Sequence, residues 1–477
     1  MARFGGDQFF GFVVFAALAH RLDPPAFGVF IVGLAVAEIG KIVAQGGLVS
    51  SLYRAPEITP RLADTVFWGN LGMAVLVTAV CFAVRHPLAA LMGSPQAAPV
   101  IAALGLVVPV SAAGATHMSR TLRAFGHRAL AVRSLGAGLV GGAVALAAAQ
   151  AGWGVWALVA QRLTSEAIGT VVAWHACRWR PGLAFSWSTL RGQWRLGMGV
   201  AGSQLLLVAL NRVQDVILGR MVGLGAIGVY RTAWKSIEVV AQGVVGPFAT
   251  VAVPTLTKLQ HDMPAFRRGY VRIVSVSATI AFPAIAGIGV LADALIPLLF
   301  GPQWGQSIPV ARILCLLAPP FALNFFADPA LTVLGRAGVM ARLAAIQLLL
   351  TLAFCLAAAP HGLAWFAAAY VVRAYVTLVL QMAMLQRATG IRAVEVLSGI
   401  APAFGASLVM AIVVWGTGDT MPIEGPAHGA AALARLLFLV TEGMLAYAAV
   451  LLALLGRKRR EEFEELLRGL GRRDRQA

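Results

Sequence analysis

Residues 87–109 read PLAALMGSPQAAPVIAALGLVVP, and residues 297–319 read PLLFGPQWGQSIPVARILCLLAP. Pro87, Pro99 and Pro109 return 210 positions later as Pro297, Pro309 and Pro319. Gly93, Pro95 and Gln96 are answered by Gly301, Pro302 and Gln303 close to that offset. Further out, Phe27-Gly28-Val29-Phe30 matches Ile227-Gly228-Val229-Tyr230, and Val43-Ala44-Gln45-Gly46 matches Val240-Ala241-Gln242-Gly243. Thr121-Leu122-Arg123-Ala124 falls opposite Thr332-Val333-Leu334-Gly335-Arg336. Each match is short, but all keep one order along the chain, which marks an internal duplication.

The repeated unit contains six apolar stretches, each near the ~20 residues that a helix needs to cross a bilayer. Six is even, so the second copy enters the membrane in the same direction as the first. The predicted fold is an all-α polytopic membrane protein of about fourteen transmembrane helices. Two parallel-repeat six-helix lobes are followed by two C-terminal helices, a plan known among transporters. The expected divisions are an N-lobe with its linker over 1–195, a C-lobe over 196–398, the last two helices over 399–455 and a tail over 456–477.

Charge supports this reading. Most of the 38 Lys and Arg residues fall in one alternate set of gaps: 54–62, 119–128, 177–195, 254–271, 334–339, 387–398 and the termini. The other set holds only Arg21, Arg85 and Arg220. Cytoplasmic loops retain Lys and Arg, so both termini are expected in the cytoplasm. The chain is 59% hydrophobic and 12% charged, with a mean hydropathy of +0.80. A soluble domain carries about 25% charge. The net charge of +18 therefore reads as topology and as attraction to anionic membrane lipids, with no nucleic-acid partner. In the tail, Phe463, Leu466, Leu467 and Leu470 recur at helical spacing. It is expected either as an amphipathic helix on the cytoplasmic leaflet or as a solvated end.

Cys81, Cys177, Cys315 and Cys355 stand too far apart for a disulfide framework or a zinc site. No phosphate-binding loop, nucleophile elbow or zinc-protease motif appears, so neither a cofactor nor a catalytic function is expected. The chemistry lies in charges within the spans, where an ionisable group is costly and normally faces a bundle interior or a wet cavity. Glu38 and Lys41 share one helical face, as do Arg212 with Asp215 and the series Arg231, Lys235 and Glu238. Glu38 and Glu238 correspond under the duplication. Lys41, Arg212, Arg231, Lys235 and Arg373 are candidate contacts for a diphosphate, since Arg grips phosphate oxygens through paired donors. Arg373 could equally snorkel or pair. Glu38, Asp215 and Glu238 are candidate counter-charges or ion-coupling carboxylates. Arg162 with Glu166, and Arg435 with Glu442, read as ion pairs that fix packing.

The stretch Arg21-Leu22-Asp23-Pro24-Pro25-Ala26-Phe27-Gly28, followed by Gly46-Gly47-Leu48, resembles the opening of polysaccharide exporters of the multidrug/oligosaccharidyl-lipid/polysaccharide (MOP) superfamily. Phe67-Trp68-Gly69-Asn70, Pro254 and Phe300-Gly301-Pro302-Gln303-Trp304 resemble later landmarks of that group, in order, between about residues 20 and 390. The nearest subgroup is similar to Wzx-type flippases. That resemblance implies alternating access and transport of an undecaprenyl-diphosphate-linked oligosaccharide across the bacterial inner membrane, for O-antigen, capsule or exopolysaccharide. It implies a polysaccharide polymerase and glycosyltransferases as pathway partners. Two other readings stand beside it: a cation-coupled drug antiporter of the same superfamily, and a membrane polysaccharide polymerase or ligase. The second calls for a large outer loop, which the short gaps do not offer. On a cysteine-free background, a cysteine at position 336 is expected to label only from the cytoplasm and one at position 85 only from outside. Labelling of both from one side would remove the topology.

Overall fold

A computed structural model describes residues 2–124, 126–420 and 430–455. The tail over 456–477 and Glu424 lie outside the described residues. Every regular element among the described residues is helical. Hydrocarbon offers no hydrogen-bond partners, and a helix satisfies its backbone groups within one segment.

Among the described residues, nine helices are long and apolar enough to cross a membrane. Two helix pairs, bent by 49° and 58°, bring the count to eleven if each pair is one span. About fourteen were expected. The other three expected segments also form helices: Ala2–Ala19, Val155–Ala176, and Leu224–Val240 continued through Gly246–Leu259. Their sequences are more polar, carrying Arg3 and Asp7, Arg162 and Glu166, and Arg231, Lys235 and Glu238.

The proline positions explain several breaks. Pro319 and Pro320 open the helix Ala318–Val333 just after the bend that follows Ser307–Cys315. Their missing N–H groups cost nothing in a first turn. Pro283 sits inside Met263–Val290 and cannot donate to the Thr279 carbonyl. The Tyr447 hydroxyl donates to that carbonyl instead, at 2.6 Å. A π-helical turn, Ala241–Val245, separates Leu224–Val240 from Gly246–Leu259.

The chain separates into two compact units. The first comprises Met1–Thr232, Leu299–Gln306 and Ala341–Arg373. The second comprises Ala233–Leu298, Ser307–Met340 and Ala374–Ala477.

Within the first unit the duplicated motifs meet. A Cβ on Gly28 would run into the Leu224 carbonyl, and a Cβ on Gly228 into the Pro24 carbonyl. Leu224 stands to Gly228 as Pro24 stands to Gly28, so the contact is reciprocal at an offset of 200. Only a residue without a side chain allows two backbones so close. The neighbouring loop Pro302–Trp304 closes the end of Ala2–Ala19: Gln303 Nε2 and Trp304 Nε1 both donate to the Ala19 carbonyl, at 2.6 and 2.9 Å. That carbonyl is one of those a helix end leaves unsatisfied. Trp304 is fully buried and meets Phe27 edge to face.

In the second unit, Met263–Val290 packs against Ala393–Thr420 and Ala430–Leu454. Arg435 and Glu442 do not pair with each other as expected. Arg435 donates to the Gly418 carbonyl, and Thr417 donates to Glu442 at 2.8 Å, so both secure the end of Ala393–Thr420. All four cysteines are free thiols.

Gly28→Val and Gly228→Val are each expected to lower the melting temperature and monodisperse yield of the purified protein. Overpacking costs about 1–3 kcal/mol where the neighbour can yield, and a backbone carbonyl cannot. Gly72→Ala, which meets nothing, serves as the control. Equal yields for all three would remove the contact as a packing constraint.

Candidate functional site: two ion clusters inside the helices

Glu38 lies on Pro24–Gln45, Arg212 and Asp215 on Trp187–Met221, and Arg231 on Leu224–Val240. The last two helices are joined by Val222 and Gly223, whose φ of 118° turns the chain back sharply. That reversal brings Arg231 beside Asp215, one helix against the next.

The Asp215 carboxylate is fully buried. It accepts from Arg231 Nε at 2.6 Å on one oxygen and from Arg231 Nη2 at 2.6 Å on the other. Arg212 Nη1 adds a third contact at 3.3 Å. Arg212 turns its other donors to Glu38, Nε at 2.9 Å and Nη2 at 2.6 Å. Arg231 also donates to the Asn211 carbonyl at 2.6 Å. Two cations and two anions alternate, so the cluster is neutral. The fork geometry of Arg suits it for such buried pairing.

The second cluster centres on Glu166, on Val155–Ala176. Its carboxylate takes Lys41 at 2.9 Å, Arg162 at 2.9 Å and Arg133 at 4.0 Å. The expected Arg162–Glu166 pair is present, but it is joined by two further cations. Three positive charges face one negative charge, which leaves an excess of two. Lys41, Arg162 and Arg133 keep 21%, 32% and 35% of their side chains exposed, whereas Glu166 keeps 8%.

The candidate residues thus sort into separate groups. Glu38, Arg212, Asp215 and Arg231 come together, while Lys41 joins Glu166. Both groups lie in the first unit. Lys235 and Glu238, in the second unit, pair with each other at 3.0 Å. Arg373, buried at the end of the first unit, lies over the Tyr370 ring at 4.2 Å.

Sequence reasoning missed Arg133. Its place seven residues into His127–Gln150 was the available signal. It also missed His117, which is buried and stacked on Trp174, with Trp179 and Phe67 around it. Trp174 Nε1 donates to the Ala113 carbonyl at 2.9 Å. Trp174 and Trp179 are therefore packed within the protein, whereas Trp153 and Trp156 are exposed near a helix end.

Residues 17–309 match the family described as polysaccharide biosynthesis protein. The chain belongs to that family. It is similar to the succinoglycan biosynthesis transport protein ExoT of Rhizobium meliloti (strain 1021), 28% identical over 305 residues. That match covers 64% of this chain and 62% of the relative. The lipopolysaccharide biosynthesis protein WzxC of Escherichia coli (strain K12) is 26% identical over 314 residues, covering 64% and 63%. The match thus spans about three-fifths of the length of these relatives. Among solved structures, the lipid II flippase MurJ in an inward closed conformation aligns with a TM-score of 0.73 at 11% identity, covering 93% of this chain and 96% of that one. An inward-facing multidrug resistance MATE family transporter of the MOP superfamily aligns with a TM-score of 0.61 at 16% identity, covering 80% and 95%. The fold is the one these transporters share, a multi-pass helical membrane protein. The family resemblance read from the landmarks is borne out.

Asp215→Asn leaves two guanidinium groups against a neutral amide. It is expected to cost about 3–5 kcal/mol of stability, the range for breaking a buried ion pair. Combining Asp215→Leu with Arg231→Met is expected to cost less than Asp215→Asn alone. Denaturation in detergent measures both, and the reverse order would mean that the pair is not buried as described.

Proposed function

We propose that the protein moves a polyprenyl-diphosphate-linked oligosaccharide across the bacterial inner membrane by alternating access. The cargo would serve O-antigen, capsule or exopolysaccharide assembly. The observation that carries this reading is the excess of two positive charges around Glu166, set within apolar helices. A diphosphate brings a matching negative charge and several acceptor oxygens, and Lys41, Arg133 and Arg162 supply donors that remain partly exposed. Binding would add phosphate oxygens beside the Glu166 carboxylate and so balance all three cations. The neutral cluster of Glu38, Arg212, Asp215 and Arg231 offers the complementary role. Glu38, which holds Arg212, is the candidate carboxylate for coupling to a cation gradient.

Family membership and the relatives named for succinoglycan transport and lipopolysaccharide biosynthesis support the substrate class. The fold shared with a lipid II flippase supports the mode of action. No bond is made or broken in this scheme, so the protein is a transporter and not an enzyme. Glycosyltransferases would supply the cargo at the cytoplasmic face, and a polymerase would consume it outside. A drug antiporter shares the fold, but an excess of positive charge repels cationic cargo.

A leaflet-access assay in proteoliposomes with a fluorescent polyprenyl-diphosphate saccharide tests the proposal. Lys41→Met and Arg133→Met are each expected to slow flipping about ten- to a hundredfold, the weight of one charged hydrogen bond. Arg231→Ala and Lys235→Ala separate the other candidates. Flipping unchanged in Lys41→Met and Arg133→Met would sink the diphosphate site, and no flipping by the unaltered protein would sink the function.

A further inference from the structure

The second unit contains a groove with two chemically distinct ends. At the end carrying the basic gaps 254–271 and 387–398, a cavity of about 640 Å³ is lined by Arg267, Arg268, Arg272 and Glu395. Two of these four are already engaged. Arg267 Nε donates to the Thr389 carbonyl at 2.9 Å, and Glu395 pairs with Arg392 at 3.0 Å. Arg268 and Arg272 lie one turn apart on one helical face and make no ion pair or hydrogen bond with any described residue.

Beyond this cavity runs a slot of about 710 Å³, lined almost wholly by apolar groups such as Pro283, Gly287, Met410, Val440 and Met444. The two spaces meet at Thr279 and Leu451, which line both. The hydroxyl of Tyr447 occupies the Thr279 carbonyl there, so the backbone at the junction is satisfied and the slot stays apolar. From Thr279 to Val290 the helix rises about 16 Å at ~1.5 Å per residue. That is close to half of the ~30 Å hydrocarbon core, the depth of one leaflet.

We propose that this groove is a binding site for an anionic glycerophospholipid, with its phosphate on Arg268 and Arg272 and one acyl chain in the slot. Two cations without a counter-charge among the described residues fit a phosphodiester. A slot one leaflet deep fits an acyl chain and is too short for the extended polyprenyl chain of a lipid-linked saccharide. The site lies wholly within the second unit and shares no residue with either ion cluster, and its occupancy is independent of the transport proposal. Basic pockets between membrane helices are a known means of holding such headgroups.

Native mass spectrometry of the full chain in mild detergent tests it, with phosphatidylglycerol, phosphatidylcholine, a polyprenyl diphosphate and inorganic phosphate as probes. One phosphatidylglycerol is expected to be retained in preference to phosphatidylcholine. Arg268→Ala combined with Arg272→Ala is expected to weaken retention about twentyfold. Gly287→Leu fills the slot, where an added Cβ meets nothing, and is expected to weaken retention without touching the arginines. The pair Arg268→Lys and Arg272→Lys keeps the charge and is expected to retain most of the binding, which separates loss of the site from loss of the fold. Equal retention of phosphatidylcholine, unchanged retention in the alanine pair or in Gly287→Leu, or displacement by the polyprenyl diphosphate or by inorganic phosphate would each overturn the proposal.

Discussion

A carboxylate removed from water persists as an anion only where cations can touch it, and Asp215 is held by two guanidinium groups. This constraint ties three helices together. Trp187–Met221 presents Asp215, Leu224–Val240 must supply Arg231, and Pro24–Gln45 must supply Glu38 to occupy the rest of Arg212. Shifting any one of them by a turn would strand a charge in a medium that cannot solvate it. The reciprocal backbone contact at Gly28 and Gly228 sets the same pair of helices, Pro24–Gln45 and Leu224–Val240, at a fixed separation. Close packing at one end and ion pairing further along therefore enforce one register.

The two clusters differ in their balance. Around Asp215 the charges cancel, and both guanidinium groups touch its carboxylate. Around Glu166 they do not cancel. Lys41 and Glu38 are three residues apart on one helix, so a single element contributes a member to each cluster. A ligand that draws Lys41 away from Glu166 acts on the same helix that Glu38 anchors to Arg212.

The legible part of this structure was what periodicity and order encode. Apolar stretches announced helices, and charges inside them announced the places where helices must meet. The paired prolines and the Gly28 and Gly228 motifs announced the duplication. Partner choice was not legible. Glu38 and Arg212 are 174 positions apart, and no local pattern states which helices become neighbours. Lys41 was grouped with Arg212 and Arg231 because it is close to Glu38 in sequence. Three residues leave the two side chains about 60° apart around the helix axis, yet Lys41 meets Glu166 on Val155–Ala176 while Glu38 meets Arg212. Arg435 and Glu442 failed as a pair for a related reason, since each bonds instead to a group at the end of Ala393–Thr420, the Gly418 carbonyl and the Thr417 hydroxyl. The span count fell short of fourteen where charged residues lower the hydropathy and where a π-helical turn interrupts the helix after Val240.

The mutual contact of Gly28 with Leu224 and Gly228 with Pro24 has a bearing on ancestry. Each side offers the same patch to the other, which is the signature of an isologous interface. Two separate half-length chains carrying this motif would meet in the same way, as a twofold homodimer. Fusion of their genes would preserve the seam while freeing each side to diverge, and the seam is where the present chain still shows its symmetry.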